Sequence, residues 1–394
     1  TSAYTDRYMY HKYPEKKLWE VYAESERWAR FMKIKEMPIQ RMQELEWLVQ
    51  ARNNLEQPIN LASSEYTELN YRVMLYNKAP IAFNYLRAYL SDSIFDAAIQ
   101  EYFRLWKFKH PQPKDLRATI ETQTGKNLTW FFDDLLGTTK HLDYKMVRLQ
   151  NQQLLIRNKG ELVAPLIIAG INADTIAFRK WIDGFEGDKW IELPSGDYSD
   201  IRIDPEHVMP ELFRTNNNIK TSGTFPKAAP VRLNLLYSLE DPGSHTLTYM
   251  PIINWSQKNG FMVGVGFHNG ITTTKPLQFA MMPLYGFKDS NLAGFGRVAY
   301  NITPYNNFMR LATLSLEAKQ FGAPDQQSYQ KLKTGLEINF RNKRMTNPIN
   351  HKLIGNYIIA SNLSQIKYQQ KVKINSYAQV GYLLTKNSLN NPYS

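Results

Sequence analysis

Tyr329 to Arg341, YQKLKTGLEINFR, reads as a β-strand with two chemically distinct faces. Successive side chains alternate across a strand, so Leu332, Thr334, Leu336, Ile338 and Phe340 share one face. Lys331, Lys333, Gly335, Glu337, Asn339 and Arg341 share the other. Phe261, Val263, Val265 and Phe267 repeat the pattern against Met262, Gly264, Gly266 and His268. Eight such strands are expected near 245–255, 260–268, 276–287, 291–302, 309–321, 329–341, 351–362 and 367–386. Soluble strands average about 5–6 residues and bilayer-crossing strands need about 9–11, so most of these are long enough to span. Short connections at Lys258-Asn259-Gly260, Asp289-Ser290-Asn291 and Tyr305-Asn306-Asn307 predict hairpins in an up-and-down meander. Two readings remain open for this zone: a membrane barrel, or a large soluble antiparallel sheet with one wet face. Paired glycines in Gly264-Val265-Gly266 fit close packing or curvature within a strand better than phosphate binding.

Upstream the texture changes twice. From Glu15 to about Leu136 glycines are few and apolar residues recur three or four apart, as in Leu18, Val21, Tyr22 and Trp28, Phe31, Met32, which predicts helices. Pro113-Lys114-Asp115 reads as a helix start and Gly125 as its stop, with a short helix from Asn127 through Trp130-Phe131-Phe132. From Asp143 to about Asn218, short alternating runs are divided by turns at Asn158-Lys159-Gly160, Glu186-Gly187-Asp188 and Pro194-Ser195-Gly196, the pattern of a small β-sandwich. Asn216 to Ala229 reads as a linker. The fold class is multidomain α + β: an all-α domain over 1–142, a β-sandwich over 143–221, and a long-stranded antiparallel meander or barrel over 222–394 that need not be complete.

Composition agrees with this division. At roughly 150 residues per domain, 394 residues allow two or three domains, and 43% apolar residues suffice for real cores. The absence of cysteine removes disulfides, thiol nucleophiles and cysteine-ligated metals. Lys and Arg total 48 against 36 Asp and Glu, but the +12 charge is spread along the chain, which argues against a nucleic-acid partner. The longest apolar run, near Leu162 to Ile171, is too short for a helical membrane span. The opening TSAYTDRYMY lacks the features of a signal peptide, so such a segment was removed or the chain begins within a longer protein.

Seven histidines, at 11, 110, 141, 207, 245, 268 and 351, include no H-E-x-x-H pair, and His207 with Glu211 is interrupted by Pro210 in a loop-like stretch. Phosphate loops, dinucleotide fingerprints and nucleophile elbows are missing as well. Asp133-Asp134 and Glu121 are expected as solvated helix charges. Residue chemistry alone thus gives no self-sufficient active site and no metal ligands.

One segment carries a resemblance. Tyr76-Asn77-Lys78-Ala79, Phe95 to Tyr102-Phe103, Asp115-Leu116, and Thr124-Gly125 to Phe131-Phe132 follow the order found after the zinc site of gluzincin aminopeptidases, the membrane alanyl aminopeptidase family. Thr1-Ser2-Ala3-Tyr4 through Arg7-Tyr8 is similar to the sequence after the family's downstream zinc-ligand glutamate. The resemblance covers about a third of the chain. It implies that the H-E-x-x-H helix and the third ligand lie upstream of Thr1, so that zinc belongs to the complete protein and none to this chain alone. It also implies that Tyr76 is the catalytic tyrosine, whose neutral hydroxyl donates to the oxyanion formed when zinc-activated water attacks a peptide carbonyl. Lys78 would position the helix start or a nearby carbonyl, unless it is simply a surface lysine. More loosely, Ile201 to Thr221 and Met250 to Phe267 resemble envelope-associated Bacteroidetes-type metallopeptidases, in which a β-sandwich and a surface-antigen-like barrel follow the helices.

The leading expectation is the C-terminal part of a cell-envelope zinc metallopeptidase, an aminopeptidase, anchored at the outer membrane or held in the periplasm. Its partners would be a peptide or protein substrate, the missing N-terminal part of the catalytic domain, and outer-membrane lipid. This chain alone is expected to be inactive. One alternative is a non-enzymatic envelope protein whose peptidase-like helices serve as a binding module. Another is a soluble peptidase fragment whose β-rich end is only a large sandwich.

Overall fold

The computed structural model describes residues 2–13, 20, 25–31, 35, 37, 40–173, 175–237, 239–270, 272–322, 328–366 and 369–386. The helical periodicity expected around Leu18, Val21, Tyr22 and Met32 lies outside these residues. The first zone is helical: α1 (Ser2–Lys12), α2 (Glu26–Phe31), α3 (Gln40–Ala51), α4 (Glu68–Val73), α5 (Ala79–Leu90), α6 (Asp92–Trp106) and α7 (Pro113–Thr124), with single π-turns at Met74–Lys78 and Trp130–Leu135. The punctuation of α7 follows from its sequence. Pro113 opens it, Asp115 Oδ2 accepts the Gln112 amide at 2.7 Å, and Gly125 closes it in the left-handed region at φ +65°.

The sandwich pairs a three-stranded sheet, order β1-β2-β5, with a four-stranded one, order β4-β3-β6-β7. These strands are β1 (Tyr144–Gln150), β2 (Gln153–Asn158), β3 (Leu166–Asn172), β4 (Thr175–Ile182), β5 (Asp188–Glu192), β6 (Asp200–Ile203) and β7 (Asn218–Lys220). β7 corrects the linker reading. Ile219 is buried opposite Ile201, so three residues inside an Asn-, Thr- and Lys-rich stretch complete the sheet instead of leaving it. One apolar core runs unbroken from the helices into both sheets, joining Leu86, Phe95, Ile120 and Phe131 to Tyr144, Ile168 and Ile201. Tyr85 on α5 seals the junction by donating to the Pro165 carbonyl and stacking on Trp181 at 6.2 Å.

The third zone is one nine-stranded sheet in sequential order from β8 to β16. β9 to β16 form an antiparallel meander: His245–Ser256, Gly260–His268, Leu277–Gly286, Asn291–Ile302, Met309–Gly322, Ser328–Phe340, Ile349–Ile366 and Gln369–Lys386. The unexpected β8 (Val231–Leu235) lies parallel to β9 at one edge. Gly264 is required by close approach, since a Cβ there would sit 2.0 Å from the Pro283 carbonyl oxygen.

The two faces of this sheet differ in character. Leu314, Leu316, Leu332 and Leu336 are exposed by 49, 48, 41 and 39%. In register beside them on the same face stand Val298, Tyr300, Tyr357 and Ile359. Arg297, Glu317, Lys333 and Glu337 instead line a trough of about 840 Å³ on the other face, with Asn301, Thr313 and Asn356. Arg297, Glu317 and Lys333 are direct neighbours across three strands of that face. Among the described residues no helix is long and apolar enough to cross a membrane.

The end of α3 locks the three zones together. Arg52 donates two hydrogen bonds to the Leu212 carbonyl, one of them at 2.9 Å, and forms a forked ion pair with Glu240 at 2.7 and 2.8 Å. Arg310 Nη1 reaches the Asn53 carbonyl at 2.7 Å, and Asn54 Nδ2 bonds the Pro304 and Arg310 carbonyls at 3.1 and 3.0 Å. Burial would raise the Glu240 carboxyl, but the Arg52 guanidinium holds it at about 2, so this clamp stays charged across the physiological range.

Candidate functional site

Tyr76 sits in the π-turn between α4 and α5, with 51% of its surface exposed. Its ring meets the edge of Tyr71 at 6.3 Å, and Tyr71 in turn meets Tyr66 at 6.1 Å. Among the described residues its hydroxyl makes no hydrogen bond, so it is available as a donor. π-turns are rare and occur disproportionately at functional sites, because one extra residue re-aims a side chain that a regular helix would point elsewhere.

Lys78, two residues on, is no surface lysine and touches no carbonyl. It is fully buried, with Nζ 3.2 Å from Glu56 Oε1. The Glu56 carboxylate also accepts from Trp47 Nε1 of α3 at 2.8 Å, and His141 Nε2 stands 3.0 Å from it. Burial alone would raise this carboxyl, yet its neighbours, Lys78 first and then His141, hold it at about 2. The buried Asn77 is held by Glu46 Oε2 at 2.8 Å, and Arg72 binds the same oxygen at 2.6 Å. Glu56, Trp47 and His141 escaped the sequence reading, since three single residues far apart in the chain carry no local motif.

The other motif residues build the scaffold. Phe95, Phe131 and Phe132 are core residues, Asp115 caps α7, and Phe103 is exposed. Arg7 on α1 forks onto Asp96 of α6, one of its bonds at 2.8 Å, which ties the opening segment to the helical body. Asp133, Asp134 and Glu121 are ion-paired with Arg117 or Lys140, a correction to their reading as merely solvated charges. His207 lies in the loop after β6 with φ +55°. Burial lowers its pKa first, and Arg214 pushes in the same direction. Near it Glu211 is fully buried, accepting the Tyr144 amide at 3.0 Å and the Asn217 side chain. Burial raises the Glu211 carboxyl to about 8 despite Arg214.

Residues 16–135 match the Peptidase family M1 domain. The matched stretch covers less than a third of the chain and contains α2 to α7, both π-turns, Glu56, Tyr76 and Lys78. It gives this part of the chain a peptidase-family origin, and peptidases of this family are zinc-dependent. No curated protein matches the chain. The residues present do not fit a zinc site: among the described residues no three His, Asp or Glu are grouped to hold a metal ion.

Proposed function

We propose that this chain is the C-terminal part of a cell-envelope zinc metallopeptidase, an aminopeptidase of the membrane alanyl aminopeptidase type, whose zinc ligands lie in a segment upstream of Thr1. The observation that carries the reading is the placement of Tyr76: inside the matched stretch, on a π-turn, half-exposed and with no hydrogen bond to its hydroxyl among the described residues. Such a phenol can donate a hydrogen bond to the oxyanion of a peptide carbonyl under attack. The helices would wall the cleft. The missing N-terminal part of the catalytic domain would cover the Tyr71 and Tyr76 face and present the metal opposite it.

In the same reading the nine-stranded sheet is an outer-membrane anchor of barrel type. Support comes from the contrast of the two faces, since an exposed apolar side and a charged trough are what lipid outside and water inside require. Leu292 and Ile302 bound the apolar stretch of β12, ten residue steps or about 34 Å of strand. At a tilt of roughly 40° that is a band of about 26 Å, close to the height of an outer-membrane apolar belt. Aromatic residues gather at one rim, where Phe261 stacks on Phe287 at 6.1 Å and Tyr285 meets Phe287 at 5.4 Å. The substrate is a peptide or protein, and the location is the cell envelope. The test is hydrolysis of an aminoacyl anilide by the complete protein after zinc loading, compared with its Tyr76→Phe variant.

A further inference from the structure

The buried positions along the rod from the π-turn through α5 include Met74, Lys78, Ala82, Leu86 and Leu90, each four residues after the last. The π-turn replaces one helical turn at the start of this rod, and the rest, Ala79–Leu90, is regular α-helix. Ala79 donates its amide to the Met74 carbonyl, five residues back. This geometry is intrinsically less favourable than the α-helix, so side chains must hold it. On its inner side two contacts do so, Asn77 to Glu46 at 2.8 Å and Lys78 to Glu56 at 3.2 Å.

We propose that Glu56 is a positioning residue for Tyr76: by holding Lys78 in the interior it keeps the π-turn wound and so fixes the direction of the tyrosine two residues earlier. Glu56 is suited to this because it is itself located by Trp47 of α3 and by His141 of the segment entering β1. The turn is thus referenced to three separate parts of the chain. α5 cannot take up the slack, since Tyr85, Leu86 and Leu90 are locked in the main core. Relaxation to an α-helix would fall on the Tyr76 side and rotate it by one residue's worth, about 100°. The functional meaning of this device rests on the proposed role of Tyr76, but its geometry does not.

The test uses the full chain in detergent and two readouts that need no catalysis: amide exchange across residues 74–79, and the ring ¹³C resonance of Tyr76 assigned with Tyr76→Phe. In Glu56→Gln the turn amides should exchange about tenfold faster or more, with α7 amides unchanged and the Tyr76 resonance displaced. Glu56→Asp keeps the charge and should retain the wild-type resonance. If Glu56→Gln fails to fold because Lys78 is left unpaired, the double variant Glu56→Leu with Lys78→Met leaves no buried charge and decides the matter. A folded double variant with a displaced Tyr76 resonance and fast turn exchange supports the proposal. Wild-type exchange and resonance in either folded variant overturn it, whatever the complete protein hydrolyses. An inactive complete protein with a Glu56-dependent turn would instead overturn the peptidase reading alone.

Discussion

Arginine at Leu316 distinguishes lipid from water as the neighbour of the sheet's apolar face. Leu316 stands in the middle of β13, in register with Val298 and Thr334, and no described element of the protein packs over it. If the face were wet, a half-exposed leucine would be replaced by a side chain whose stem covers similar surface, and the change would lie within about 0.5 kcal/mol. In a bilayer the same position is near the midplane, where arginine costs about 2–4 kcal/mol. Ile302, ten residues from Leu292 at the end of β12, falls at the rim, where the cost drops to about 0–1 kcal/mol. Urea unfolding of the chain refolded into phosphocholine vesicles, followed by tryptophan fluorescence, reads both variants. A clear penalty for Leu316→Arg and a small one for Ile302→Arg is expected. Equal costs at the two depths, or less than about 1 kcal/mol at both, would refute the lipid-facing assignment.

Three further outcomes follow from the packing and the charges. Phe131→Ala removes a fully buried ring that meets Phe83 at 5.3 Å and Phe132 at 5.0 Å, and should cost about 3–5 kcal/mol in chemical denaturation. Glu211, raised from 4.5 to about 8, binds its proton in the folded state across a range where the unfolded chain has lost it. Its contribution therefore makes stability fall as pH rises through that window, and Glu211→Gln should gain on the wild type between pH 5 and 9 in urea titrations. A flat difference across that range would remove Glu211 as the source. Metal analysis of the isolated chain after dialysis should find no stoichiometric zinc, and one tightly bound zinc per chain would place a ligand set within these residues.

Strict alternation made the meander legible, because a period of two survives in the sequence wherever the two faces of a strand differ: all eight expected strands overlap β9 to β16. The same alternation could not say which face is wet, since Leu332 and Leu336 would alternate with Lys333 and Glu337 in a soluble sheet or a barrel. The cost of arginine at Leu316 separates these cases. β7 and β8 were invisible for another reason: three and five residues are too few for a period to register, and their pairing partners come from elsewhere in the chain. Tyr76 was reached through a motif and not through its chemistry. No spacing in the sequence marks the π-turn, and the Glu56 cluster exists only in three dimensions.

The most direct test of the peptidase reading is the turnover of the complete protein, zinc-loaded, on an aminoacyl anilide, with and without Tyr76→Phe. The account predicts hydrolysis by the wild type and a fall in kcat of about a hundredfold or more in the variant, with KM and fold preserved, as expected for one lost oxyanion donor. Undiminished kcat in the variant, or no hydrolysis by the zinc-loaded wild type, would contradict it.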